Sequence, residues 1–69
     1  MNEPFELRGD YIELAKLLKA AGLCDTGGMA KGVIDEGLVL VDGAVEHRRG
    51  CKIRRGQEVS FGGHILRVV

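Results

Sequence analysis

Arg48, Arg49, Lys52, Arg54 and Arg55 put five cations into eight consecutive residues of a chain whose 10 Lys and Arg are balanced by 10 Asp and Glu. Ammonium and guanidinium groups neutralise phosphates, and the counterions released on contact drive the association. Arginine adds a planar fork of donors suited to bidentate phosphate contact. A cluster of like charges repels itself, so a neutral chain that carries one usually turns it toward something negative. Nucleic acid is the leading candidate. Contact with four or five phosphates would give a salt dependence, d log K/d log [salt], of roughly −3 to −4.5. Lys52 and Arg54 flank Ile53. In a strand the two cations share a face and Ile53 turns into the core, while Arg48 and Arg49 sit on the loop before it.

The remaining reactive side chains organise no second chemistry. His47 and Cys51 have a plausible ligand spacing, but Cys24 and His64 stand alone and no C-x-x-C occurs, which argues against zinc. Ser60 is the only serine, has no base beside it and lies in a strand pattern, so no nucleophilic site is expected. Asp35 and Glu36 are adjacent and would point to different faces of a helix, which excludes a paired acid and base. Gly27-Gly28 and Gly62-Gly63 lack the context of a phosphate loop. The acidic start Met1-Asn2-Glu3-Pro4 reads as no signal peptide, and no apolar run reaches the length of a membrane span. The expectation is a cytoplasmic protein with reduced thiols, in which Cys24 and Cys51 are small half-buried residues.

The 69 residues suffice for one domain, residues 1–69, with a core built from aliphatics, since the only aromatics are Phe5, Tyr11 and Phe61. Charge is divided: residues 1–36 hold four cations against seven acids, and residues 37–69 hold six cations against three acids. Phe5 to Arg8 predicts a short strand. Asp10 reads as an N-cap, with Glu13 completing an acidic capping box. Leu14, Leu17, Leu18 and Ala21 fall on one face of a helix over Tyr11–Ala21, which Gly22 ends. Asp25 or Thr26 caps a second helix with Met29, Ala30, Val33 and Ile34 as its apolar stripe and Gly37 as its stop. Gly28 and Gly32 lie one turn apart on that helix. Close packing against the first helix is the favoured reason for them, and close approach of a phosphate backbone is the other. Leu38 to Val41, the Asp42-Gly43 turn and Ala44 to Glu46 predict a hairpin. Further strands are expected at Gln57–Phe61 and His64–Val69, separated by Gly62-Gly63. The class is α+β: a helix–turn–helix pair on a small, mostly antiparallel sheet.

Three fragments in order resemble a known family. They are Ala30-Lys31-Gly32-Val33-Ile34-Asp35-Glu36-Gly37, then Val39-Leu40-Val41-Asp42-Gly43, then Cys51-Lys52-Ile53-Arg54-Arg55-Gly56-Gln57-Glu58-Val59. This succession is similar to the RNA-binding domain first seen in ribosomal small-subunit protein four, the alpha-L fold, over about residues 11–61. The short chain resembles the small stand-alone bacterial YbcJ-like members. The resemblance implies binding of structured RNA without catalysis or cofactor. Relatives commonly begin the second helix with Ser-Arg, where this chain has Thr26-Gly27. The hydroxyl cap is kept and one phosphate contact is lost. Lys31 matches the usual helical cation, and Asp42 stands for the more common Asn of the hairpin.

The expected function is therefore a non-catalytic, monomeric module that holds structured RNA, ribosomal or transfer, mainly through its backbone. Lys31, Arg48, Arg49, Lys52, Arg54 and Arg55 are the expected contacts, on one concave positive face from which the acids of the first helix turn away. Base readout is expected to be poor, because Phe5 and Phe61 fill the core and Tyr11 starts a helix. The rival readings are a protein-interaction module that docks an acidic partner, and a small accessory subunit of an RNA-modifying enzyme.

Overall fold

The structure is a computed structural model that describes residues 2–69. Met1, the first residue of the acidic start read above, lies outside them. Chain order is β1 (Asn2–Phe5), β2 (Ile12–Glu13), α1 (Leu14–Ala20), α2 (Gly27–Asp35), β3 (Leu40–Val41), β4 (Ala44–Val45), β5 (Lys52–Ile53), β6 (Glu58–Phe61) and β7 (His64–Val68). Five strands form one sheet in the order β1-β7-β6-β3-β4, and β2 pairs with β5 in a separate two-stranded ribbon. Among the described residues only β1 with β7 is parallel; the other pairs are antiparallel. The class is α+β, as the order of elements predicts.

Apolar periodicity builds the helix pair. Leu14, Leu17 and Leu18 of α1 and Ala30 and Ile34 of α2 are buried. They meet Val39, Ile53, Val59, Leu66 and Val68 in one core, which Leu7 and Cys24 complete. Strand alternation does the matching work in the sheet: Leu66 and Val68 turn inward while Arg67, between them, pairs with Glu58 at 3.3 Å. Phe5 and Phe61 are partly buried against this core, as expected. The Asp42-Gly43 turn has both residues in the left-handed region, φ 51° and 84°, which a two-residue hairpin of this hand requires. The Asp42 carboxylate accepts from the Glu58 backbone N–H at 2.9 Å and from Gln57 Nε2 at 3.3 Å, so the turn residue also fastens β3 to β6.

Three expectations are corrected. The first strand is Asn2–Phe5 rather than Phe5–Arg8, because the segment pairs in parallel with β7 from Asn2 onward. The first helix begins at Leu14, not Tyr11, and Asp10 does not cap it. Its N-cap is Glu13, which makes no side-chain cap bond. Ile12 and Glu13 are instead extended against Ile53 and Lys52. The first helical N–H groups find carbonyls in the basic loop: Leu14 N–H donates to Cys51 O at 2.9 Å and Ala15 N–H to Arg49 O at 3.1 Å. A tertiary contact thus satisfies the donors that a capping box would have held. The glycines of α2 do not pack against α1. A Cβ built on Gly32 meets nothing within 4 Å, and one on Gly28 meets only Thr26 Oγ1 at 3.8 Å. The second helix otherwise follows expectation, with the Thr26 hydroxyl accepting from Met29 N–H at 3.0 Å and Gly37 just past its end at φ 76°. Met29 belongs to its predicted stripe but is exposed.

Candidate functional site

The backbone bonds from α1 to the loop decide where the cations go. Because Leu14 and Ala15 hold the carbonyls of Cys51 and Arg49, the basic loop is drawn across the start of α1. Gly50 then lies between two surface depressions. One is lined by Arg48, Gly50, Cys51 and Lys52. The other is lined by Glu13, Ala15, Lys16, Lys31, Arg49 and Gly50. Three of the expected cations of the loop and strand, Arg48, Arg49 and Lys52, are brought together around Gly50, and Lys31 joins them from α2. Arg54 lies near Lys52, both over the ring of Tyr11. Ile53 is fully buried between Lys52 and Arg54, which are both exposed, so the alternation read from the sequence holds.

The six expected residues differ in what else they do. Arg48 is held by Glu46 in a two-pronged pair, with Nε donating to Oε2 at 3.0 Å and Nη2 to Oε1 at 3.2 Å. Its backbone N–H donates to the same carboxylate at 3.0 Å. These bonds from Arg48 hold the Glu46 carboxyl at about 2, well below its ordinary value. Arg49 Nε lies 3.7 Å from Asp35 Oδ1, which ties the loop to the last residue of α2. Arg55 turns away from the depressions. Its Nη1 donates to Gly9 O at 3.0 Å and its Nη2 to Leu7 O at 2.8 Å, bracing the segment between β1 and β2. Lys31, Lys52 and Arg54 have no ion pair among the described residues within 4.0 Å.

Two neighbours of this surface were not among the expected contacts. Lys16 lines the second depression and pairs with Glu13 at 3.3 Å. Nothing local in the sequence separates it from Lys19; the packing of α1 on α2 does. Tyr11 is the other. It precedes β2 rather than starting a helix, and the residue is 43% exposed. Lys52 Nζ stands 4.9 Å and the Arg54 guanidinium 5.6 Å from the ring centroid. The signal for Tyr11 was its setting, the one aromatic outside any apolar pattern. Glu13 also corrects an expectation, since this acid lines the same depression as Lys16, Lys31 and Arg49 rather than facing away from them.

Of the cysteines and His64, Cys51 lines the first depression, while Cys24 and His64 line neither. Cys24 is buried, and burial followed by the nearby Asp25 pushes its thiol up. Cys51 is half-buried 3.9 Å from Arg48 Nη2, and burial followed by Glu46 pushes its thiol up as well. His64 Nδ1 lies 3.7 Å from Glu3 Oε1, joining β1 to β7. Among the described residues no three His, Cys, Asp or Glu side chains are grouped to hold a metal ion. No helix of the described residues is long and apolar enough to cross a membrane.

YbcJ of Escherichia coli (strain K12) is 54% identical over 59 residues, covering 86% of this chain and 84% of YbcJ. "Probable ribosome maturation protein RlbA" of Bacillus subtilis (strain 168) is 36% identical over 63 residues, covering 91% of this chain and 89% of that protein. The solution structure of YbcJ, described as revealing an alfaL motif involved in RNA-binding, matches with a TM-score of 0.74 and 51% identity. It covers 96% of this chain and 85% of YbcJ. The sequence profile of the S4 domain matches residues 5–69. By its sequence, its helix pair and its sheet, the chain belongs to the S4 domain family.

Proposed function

We propose that this chain is a non-catalytic module that binds structured RNA through the phosphate backbone. The observation that carries the reading is the meeting of two depressions at Gly50, which puts helical Lys16 and Lys31 beside Arg49 and Lys52 of the basic segment. Cations from three separate elements on one surface can follow consecutive phosphates, whereas a solvated loop would need no helical partners. The contacting set is Lys16, Lys31, Arg49, Lys52 and Arg54. Arg48 contributes in part, because Glu46 already occupies its fork, and Arg55 serves the fold. YbcJ's described RNA-binding motif and RlbA's name in ribosome maturation support RNA as the polyanion and make ribosomal RNA the first to try. The same reading takes the chain as a monomer working in the cytoplasm.

Binding should be measured against a structured ribosomal RNA fragment, a single-stranded RNA and duplex DNA, at 50 to 300 mM salt. Saturable binding that favours the structured RNA, with a slope of roughly −3 to −4.5, is expected. Absence of RNA binding at the lowest salt would falsify the reading. Capture of an acidic protein by the same surface would then favour the interaction-module alternative.

A further inference from the structure

The RNA-binding reading leaves Tyr11 unexplained. The other two aromatics, Phe5 and Phe61, pack against the core, but Tyr11 keeps 43% of its surface in water at the edge of the basic face. Its position follows from the ribbon: Ile12 is pinned opposite Ile53, so the residue before it emerges beside Lys52 and Arg54. Both cations stand over the ring, at 4.9 and 5.6 Å from its centroid. An exposed ring flanked by phosphate-binding cations has the composition of a stacking shelf for an unpaired base. Every base presents a π-face, so such a shelf selects for an unstacked base rather than for a sequence. A fully paired helix has its bases inside and cannot use it.

We infer that Tyr11 stacks an unpaired nucleotide of the RNA, while Lys52 and Arg54 hold the phosphates on either side of it. The ligand class is then an RNA helix interrupted by a bulge, loop or frayed end, rather than a continuous duplex. A base that slides onto the ring displaces one exposed cation–π contact and leaves that cation beside the base's own phosphate. The inference rests on the RNA-binding reading, yet it can fail alone.

The test compares a perfectly paired RNA hairpin with the same hairpin carrying one bulged 2-aminopurine. Wild-type protein should bind the bulged form roughly five- to a hundredfold more tightly, the range expected for one stacked base. The probe's fluorescence should fall on binding. Tyr11→Phe should keep both effects. Tyr11→Leu, at an exposed position, should lose the preference and the quenching while its affinity for the paired hairpin stays within about twofold. Equal binding of both hairpins by wild type, or equal loss on both with Tyr11→Leu, would overturn the shelf and leave phosphate binding standing. Binding of neither hairpin would overturn both proposals.

Discussion

At the scale of single residues, the basic segment divides by what each guanidinium already touches. Arg48 is fixed by Glu46 through both prongs of its fork. A carboxyl held at about 2 in the folded chain, against an ordinary 4.5, contributes stability that is fully present above the ordinary value. That contribution is lost as pH falls from there through about 2, because the unfolded chain then takes up the proton first. Glu46→Gln should therefore flatten the acid limb of the stability profile between about pH 4.5 and 2, as followed by urea unfolding at stepped pH. An unchanged limb would mean that the pair carries no such linkage. Arg55 makes a different contribution, since its two donors reach the carbonyls of Leu7 and Gly9. Arg55→Ala should cost about 1–2 kcal/mol of stability, and Arg55→Lys should restore little of it, because a single ammonium nitrogen lacks the planar fork that reaches the two acceptors from separate nitrogens. Neither substitution should change RNA affinity at 150 mM salt by more than about threefold if Arg55 lies outside the proposed contact set.

At the scale of elements, α2 owes its position to a few residues and leaves one face bare. Ala30 and Ile34 bury it, and the Thr26 cap starts it. Gly32 has open space where a side chain would stand, and a Cβ on Gly28 would meet only the Thr26 hydroxyl, at 3.8 Å. Glycine in a helix interior costs about 1 kcal/mol relative to alanine, and nothing in the fold of this chain requires it at position 32. Gly32→Ala should therefore stabilise the protein by about 0.5–1 kcal/mol in thermal or chemical unfolding. Destabilisation would instead restore the packing role that the spacing first suggested. The ribbon of β2 and β5 is the other decisive element. Two residues on each side suffice to bring the basic segment to α1, because the N-terminal N–H groups of the helix complete the junction through the carbonyls of Cys51 and Arg49.

At the scale of the whole molecule, a formally neutral chain divides its charge between an acid-rich first half and a cation-rich second half. Helical cations from the acid-rich first half join the loop cations of the second, while Glu13 and Asp35 stay among them as counter-charges. The salt dependence of RNA binding should report this arrangement. Arg49→Glu should weaken binding more than Arg48→Glu, since Arg48 is already neutralised in a closer, two-pronged pair. Each true phosphate contact removed should reduce the magnitude of the slope by about 0.7–0.9. Equal effects of the two reversals would place Arg48 among the main contacts. Lys16→Ala should behave like Lys31→Ala if the second depression is used as proposed.

Apolar spacing, turn chemistry and local charge were sufficient to determine the class of the fold, the Asp42-Gly43 hairpin, the inward turn of Ile53 and the cationic character of the segment from Arg48 to Arg55, and they narrowed the α2 cap to Asp25 or Thr26, of which the fold uses Thr26. These are short-range properties, set by the period of a helix or strand and by the conformations a residue tolerates. The first helix start escaped the same reasoning because its orphan N–H groups are satisfied by a loop some 35 residues later, not by Asp10. The site shows the same division. Which cations share a surface depends on how α1 meets α2 and how β2 meets β5. Lys16, the exposed Tyr11 and the place of Glu13 beside Lys16 and Arg49 were therefore decided only when the chain closed on itself, and so was the diversion of Arg55 to the carbonyls of Leu7 and Gly9.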